Sequence, residues 1–126
     1  MIDVGCGTGR LTFVAAETAR LIYAVDPVES LRRTVQAKAR ERGLDNIFCV
    51  DGLITDLPFP DGFADVTMGG HVFGDDPEME LSELLRVTQP GGSFYVRGTT
   101  TSTTSGTRFL SLTGSHGDGS RNPSMA

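Results

Sequence analysis

The chain opens with Met1-Ile2-Asp3-Val4, a short apolar run, which continues into Gly5-Cys6-Gly7-Thr8-Gly9. An apolar run that ends in spaced glycines is typical of a buried strand that turns tightly into a helix. Glycine favours such a turn because it adopts positive φ and lets a ligand approach the backbone closely. The helix that follows has spare N–H donors in its first turn. This stretch therefore predicts a ligand-binding turn between a strand and a helix.

Beyond this turn, apolar runs alternate with segments of helical periodicity. The predicted helices are residues 10–20, residues 29–42 and a helix that begins at Pro77 and is stopped by Pro90-Gly91-Gly92. The predicted strands are residues 1–4, 21–25, 47–50, 64–68 and 93–96. Alternating strands and helices imply right-handed crossovers with helices on both faces of a sheet. We therefore predict an α/β fold, a Rossmann-like doubly wound parallel sheet of about five strands, in residues 1–96.

The composition changes near residue 97. From Gly98 to Ala126, 18 of the 29 residues are Gly, Ser or Thr, and the apolar residues Phe109, Leu110 and Leu112 form the one clear cluster. A segment with so little to bury does not offset its conformational entropy. We predict that residues 97–126 are a disordered tail, in which residues 109–112 form at most a short strand.

The composition of the whole chain argues against several classes of protein. The 126 residues are enough for one domain, and their net charge of −5 makes a nucleic-acid partner unlikely on electrostatic grounds. No apolar run approaches the roughly 18 residues of a membrane-spanning helix, and no signal peptide is visible. Cys6 and Cys49 provide neither a disulfide framework nor metal-ligand spacing. These features predict a cytoplasmic globular domain without a membrane or metal partner.

Two further turns carry carboxylates at predicted strand ends. Asp26 closes the second strand 21 residues after Gly5, where a carboxylate can accept hydrogen bonds from both hydroxyls of a ribose. Asp51-Gly52 follows the third strand, where the acid can accept from an adenine amino group and the glycine allows backbone approach. Asp26 before Pro27, and Asp51 before Gly52, are also ordinary turn sequences. In combination with the glycine turn, we interpret them as a nucleoside site.

Two cofactor classes use a glycine turn of this kind. The dinucleotide pattern G-x-G-x-x-G requires its third glycine at position 10, which is Arg10 here, whereas the third glycine is Gly9. The residue two before the first glycine, Asp3, is acidic where dinucleotide-binding strands are apolar, and a carboxylate there attracts a cationic ligand. The spacing therefore favours a cationic nucleoside over a nicotinamide dinucleotide, without excluding an NAD(P)-dependent oxidoreductase.

Taken in order, these motifs resemble the class I S-adenosylmethionine-dependent methyltransferases, and within them the small-molecule enzymes of the ubiquinone and menaquinone biosynthesis type. The resemblance rests on residues 3–9 and 24–27, Val50-Asp51-Gly52, Leu57-Pro58-Phe59, residues 63–66 and residues 84–92. It implies a seven-stranded sheet, S-adenosylmethionine as cofactor, and in-line transfer of a methyl group to a small-molecule acceptor. The residues that it assigns to the cofactor are Asp3, Gly5, Cys6, Gly7 and Gly9 at the methionine end, Asp26 with Pro27 at the ribose, and Asp51 with Gly52 at the adenine.

Other polar residues receive separate predictions. His71 follows the fourth strand, where the resemblance places the acceptor, and it is the candidate general base, with packing in a loop as the alternative. Asp75 and Asp76 precede Pro77 and are predicted to cap the following helix. The basic residues of the second helix are predicted to form a solvated face: Arg32, Arg33, Lys38, Arg40 and Arg42.

The resemblance also has departures. No helix precedes the first strand, and the tail lacks the pattern of the antiparallel sixth and seventh strands, so we expect a methyltransferase domain truncated at both ends. A non-catalytic module that only binds the nucleoside remains an alternative. If the truncated domain folds alone, we expect strand five to be an exposed sheet edge, which favours self-association.

Overall fold

The computed structural model describes residues 1–69, 76–96 and 108–111. Strands and helices alternate along these residues. In chain order they are β1 (Ile2–Val4), α1 (Arg10–Ala16), β2 (Ile22–Val25), α2 (Glu29–Glu41), β3 (Ile47–Val50), β4 (Ala64–Gly69), α3 (Pro77–Val87), β5 (Thr88–Val96) and β6 (Arg108–Ser111).

The strands of the described residues form one parallel sheet in the order β3-β2-β1-β4-β5-β6. The chain moves from β1 through β2 to β3 and then returns to the other side of β1 with β4. This reversal creates a switch point beyond the carboxyl end of β1, where ligands bind in doubly wound sheets. The predicted Rossmann-like α/β fold is confirmed.

Both faces of the sheet carry apolar packing because side chains alternate along each strand. On the face that α1 and α2 cover, the buried residues are Cys6, Ala16, Ile22, Ala24, Val35 and Met68. On the face that α3 and the loop of residues 51–63 cover, they are Ile2, Val4, Val25, Leu57, Phe59, Ala64, Leu84, Val87 and Phe94. Asp3 points from β1 toward the first of these faces, beneath α1, since it alternates with Ile2 and Val4.

The largest departures from the predicted boundaries are at α1 and β5. Helix α1 ends at Ala16 rather than residue 20, and the Asn46 amide donates hydrogen bonds of 2.9 Å to the carbonyl of Ala16 at the helix end and to that of Ala19 in the turn that follows. Strand β5 already begins at Thr88, so Pro90-Gly91-Gly92 lies inside a strand. A Cβ at Gly92 would lie 2.7 Å from the carbonyl oxygen of Asp65, so glycine permits the close approach of β4 at this irregularity.

Strand β6 lies in the segment predicted to be a disordered tail. It runs parallel to β5, with Arg108 opposite Ser93 and Ser111 opposite Val96. This strand overlaps the short strand that the sequence allowed at residues 109–112, while residues 97–107 and 112–126 lie outside the described residues. Pairing with β5 satisfies the backbone groups of β6, which holds two of the three apolar residues that cluster in this segment.

The structure also corrects the prediction of which strand forms the edge of the sheet. Because β6 covers β5, the prediction that strand five is an exposed edge is wrong, and the edges of the described sheet are β3 and β6. Self-association through an edge stays a prediction for those two strands. None of the helices in the described residues has the length and hydropathy that crossing a membrane requires.

Candidate functional site

The predicted glycine turn lies at the carboxyl end of β1, against the end of β2. The N–H groups of Gly5 and Cys6 donate to the carbonyl oxygen of Val25, at 2.8 and 3.0 Å. The φ angles of Gly5, Gly7 and Gly9 are 68°, 57° and 94°, which is the left-handed region that favours glycine. The turn therefore joins the ends of two neighbouring strands in a conformation that side chains disfavour.

The second and third glycines of the turn have different surroundings. A Cβ at Gly7 would meet no atom within 4 Å, so the turn has open space on that side. A Cβ at Gly9 would lie 2.7 Å from Cε2 of Phe13 and 3.2 Å from Cγ2 of Val35. Gly9 is thus required for packing of the turn on α1 and α2, whereas Gly7 leaves room above the backbone for a ligand.

We expect Gly9→Ala to lower the free energy of unfolding by about 2 kcal/mol, because it combines a strained backbone with overpacking against Phe13. Urea denaturation of the two proteins measures the difference. An equally stable variant would show that the turn relaxes at no cost and would contradict this reading of the packing.

Of the predicted site acids Asp3, Asp26 and Asp51, Asp26 accepts the most side-chain hydrogen bonds. It is buried at the end of β2, and its two carboxylate oxygens accept hydrogen bonds from Gly7 N–H at 3.1 Å and Val28 N–H at 2.9 Å. Each carboxylate oxygen has two lone pairs, so each retains one acceptor position. Asp26 thereby ties the glycine turn to the start of α2 and can still accept two further donors. Pro27, next in the chain, is exposed.

Asp51 and Gly52 follow β3, as predicted, beside the end of β2. The Asp51 side chain is 72% exposed and lies 3.4 Å from Nη1 of Arg32. Gly52 has no positive φ, but a Cβ there would lie 2.8 Å from Cδ of Pro58 and 3.0 Å from Cγ1 of Val25. The loop backbone therefore packs directly on the end of β2, and the carboxylate of Asp51 is free to reach a ligand.

Arg32 and Lys38 correct the prediction of a solvated basic face on α2. Arg32, whose side chain is only 18% exposed, donates to the backbone oxygen of Asp26 at 2.8 Å and contacts Asp51. Lys38 donates to the carbonyl of Thr8 at 3.1 Å. Sequence reasoning missed both, because a spacing of six residues does not place two side chains on one face of a helix.

Asp3 is buried, with 1% of its surface exposed, and its Oδ2 accepts a 2.5 Å hydrogen bond from the hydroxyl of Thr12 on α1. Burial raises the pKa of Asp3 to about 6; the bond from Thr12 opposes this rise, and the negative charge of Asp26 adds to it. At neutral pH the carboxylate is therefore still ionised. Asp3 and Asp26 together give the end of the sheet a negative potential.

The surroundings of both thiols disfavour the thiolate form. Cys6 is buried, and burial, with the nearby charges of Asp3 and Asp26, raises the pKa of its thiol to about 12. Burial also raises the pKa of the Cys49 thiol. Since the thiolate is the nucleophilic form, Cys6 contributes to the turn through its backbone rather than through sulfur chemistry.

The remaining predicted residues have separate outcomes. His71 and Asp75 lie outside the described residues. Asp76 caps α3, as predicted, because its Oδ1 accepts a hydrogen bond of 3.1 Å from Met79 N–H. Within residues 1–69, 76–96 and 108–111, no cluster of three or more His, Cys, Asp or Glu side chains is arranged to hold a metal ion.

A family described as "Methyltransferase domain" matches residues 2–96. Demethylmenaquinone methyltransferase of Geobacillus stearothermophilus is 34% identical over 96 residues, which cover 72% of this chain and 41% of the relative. The chain thus spans less than half the length of that relative.

Two solved structures show the range of chemistry on this fold. A SAM-dependent methyltransferase from Aquifex aeolicus is 26% identical, with a TM-score of 0.65 over 71% of this chain and 50% of that one. The [4+2]-cyclase SpnF is 30% identical, with a TM-score of 0.67 over 72% of this chain and 35% of that one. Through the match over residues 2–96, the chain belongs to the methyltransferase domain family, whose cofactor is S-adenosylmethionine.

Proposed function

We propose that the crevice beyond β1, β2 and β3 binds S-adenosylmethionine, and that the protein transfers its methyl group to a small-molecule acceptor. The observation that carries this proposal is Asp26, a buried carboxylate at the end of β2 that retains one acceptor position on each oxygen. A ribose presents two adjacent hydroxyls, which match that pair of acceptors. Further support comes from the open space beside Gly7.

The other residues fit the remaining parts of the cofactor. Gly5, Cys6, Gly7 and Gly9 would face the methionine portion with their backbone, and Pro27 would flank the ribose. Asp51, whose carboxylate is exposed, would accept from the adenine amino group, next to the closely packed Gly52. An acid at the end of each of two adjacent strands suits a ligand that lies across both.

The chemistry supplied by the bound cofactor is a methyl group on a positively charged sulfur. The protein's own contribution is alignment of donor and acceptor, since displacement needs proximity more than covalent help. Asp3 and Asp26 attract the cationic cofactor. Positive charge is lost from sulfur as the methyl leaves, so these acids favour binding rather than the chemical step. If the acceptor must lose a proton, His71 is the proposed base.

The name of a relative supports a class of methyl acceptor. The Geobacillus stearothermophilus relative acts on a demethylmenaquinone, by its name, so we propose a quinone-type or similar small molecule here. A cytoplasmic site is proposed as well, in keeping with the free thiols of Cys6 and Cys49. The similarity to a cyclase means that cofactor binding and methyl transfer need separate measurements.

Calorimetric titration with S-adenosylhomocysteine and with NAD tests the cofactor. We expect saturable binding of the first and none of the second, and we expect Gly7→Ala to weaken it at least tenfold because the methyl group enters the ligand's space. Gly43→Ala is the matched control, since Gly43 also has positive φ (68°) and open surroundings but follows α2. Equal losses in both variants, or binding of NAD, would contradict the proposal.

Methyl transfer is then measured as S-adenosylhomocysteine released with a demethylmenaquinol and a panel of phenols. Turnover with any acceptor supports the enzyme. Binding without turnover across the panel would identify a module that holds the nucleoside without catalysis.

A further inference from the structure

The most extensive side-chain network of the described residues lies away from the proposed contacts, near the end of α3. Its centre is Arg86, whose guanidinium has five N–H donors. Nε and Nη2 donate to the two carboxylate oxygens of Glu83 at 2.7 and 2.8 Å. The remaining donors reach the Leu57 carbonyl at 3.0 Å, the Phe59 carbonyl at 2.9 Å and Asp61 Oδ1 at 2.9 Å. All five donors are therefore used.

Glu83 completes the network from the other side. Its Oε2 also accepts a 2.6 Å hydrogen bond from the Leu57 N–H, and its side chain is only 14% exposed. The ion pair thus holds the backbone on both sides of Pro58, through both polar groups of Leu57 and the carbonyl of Phe59. An i,i+3 pair that only stabilised α3 would need none of these bonds to the loop.

Pro58 carries this restraint to the cofactor crevice. A Cβ on Gly52 would lie 2.8 Å from Cδ of the Pro58 ring and 3.0 Å from Cγ1 of Val25. Gly52 is therefore packed closely against both Pro58 and Val25, the last residue of β2. Asp51 is linked to Gly52 by one peptide bond, so the packing of Gly52 also restrains the backbone of Asp51. The Asp51 side chain itself has one weak partner, Arg32 at 3.4 Å.

We propose that the Glu83–Arg86 ion pair positions the nucleobase end of the cofactor crevice by acting through Pro58 on Asp51-Gly52. Glu83 and Arg86 are positioning residues, because neither side chain is part of the proposed contacts. This inference rests on the proposed function, in which Asp51 accepts from the adenine amino group. It assigns adenine recognition to a network anchored on α3, which covers the other face of the sheet from α1 and α2.

The test compares two ligands that differ at the amino group. S-adenosylhomocysteine carries it, and S-inosylhomocysteine replaces it with an oxygen. Arg86→Lys keeps the charge but cannot make the forked bonds to Glu83 and both carbonyls. We expect it to weaken calorimetric binding of the adenosyl ligand about tenfold and that of the inosyl ligand less than about twofold. Pro58→Ala, which removes the ring beside Gly52, should show the same selective loss with the ion pair intact.

The control is Arg33→Lys, which alters the exposed Arg33–Glu29 pair of α2 and should leave both affinities unchanged. Glu83→Gln gives a second, milder variant should Arg86→Lys not fold, with a smaller loss of the same selectivity expected. Equal losses for the two ligands, or no loss, would overturn the positioning role while wild-type binding upholds the proposed function. A wild-type protein that binds neither ligand would overturn both.

Discussion

Asp26→Asn is expected to weaken binding of S-adenosylhomocysteine about a hundredfold. The amide keeps the shape of the side chain but replaces one acceptor oxygen with an NH2 donor, which would face either the Gly7 or the Val28 N–H group. One charge-assisted bond to a ligand hydroxyl is lost, and the loop that carries Gly7 loses an anchor. Losing a hydrogen bond to a charged group costs roughly 1.5–3 kcal/mol, which at its upper end corresponds to this factor.

Isothermal titration measures the loss, with Asp45→Asn as the control. Asp45 is an exposed carboxylate before β3, and its replacement changes the net charge by the same amount without touching the crevice. Circular dichroism verifies that both variants are folded. If Asp26→Asn bound the ligand as tightly as Asp45→Asn, the carboxylate would not contact the ribose and the proposed site would be wrong.

Asp3→Asn is expected to stabilise the protein at pH 8 by about 3 kcal/mol. Burial raises the pKa of Asp3 from 3.8 to about 6, so the folded state holds an ionised carboxylate at a cost that the unfolded chain does not have. One pKa unit corresponds to 1.36 kcal/mol, and the rise of about two units gives the stated value. Asparagine is neutral and can still accept the bond from Thr12.

The dependence on pH distinguishes this effect from a simple change in packing. Between pH 3.8 and about 6 the folded protein binds a proton that the unfolded chain has released, so this group's contribution to stability falls as the pH rises. The stabilising effect of Asp3→Asn should therefore be full above pH 6 and fade as the pH falls toward 4. Urea denaturation at pH 5 and pH 8 tests it, and an effect of equal size at both values would contradict it.

The two predictions together separate the roles of the buried acids. Asp26 has two backbone donors that hold it in place, whereas Asp3 has one hydroxyl partner and lies deeper. A residue that costs stability is retained where function needs its charge. We therefore expect Asp3→Asn to bind the cationic S-adenosylmethionine less tightly while it unfolds at a higher urea concentration.

Much of the fold was predictable from local sequence. The strand at residues 47–50 has its predicted boundaries, and the third helix begins at Pro77 as predicted, because the apolar pattern and the capping residue agree with the fold. Asp26, Asp51 and the glycine turn also lie at strand ends, as predicted. The boundaries that were missed involve partners distant in sequence: Asn46 donates to carbonyls at and beyond the end of α1, and Gly92 of β5 lies close to the backbone of β4.

By itself, the sequence determined the alternation of strands and helices. That alternation in turn determined that Asp26 and the glycines meet at the carboxyl ends of the strands. These follow from the periodicity of apolar residues and from glycine backbone freedom, which are local properties. Only the tertiary structure decided that Arg32 and Lys38 turn toward the crevice, that β6 joins β5, and that Arg86 reaches Leu57 and Phe59. Such contacts join residues far apart in the chain, so they are set by packing of the whole domain.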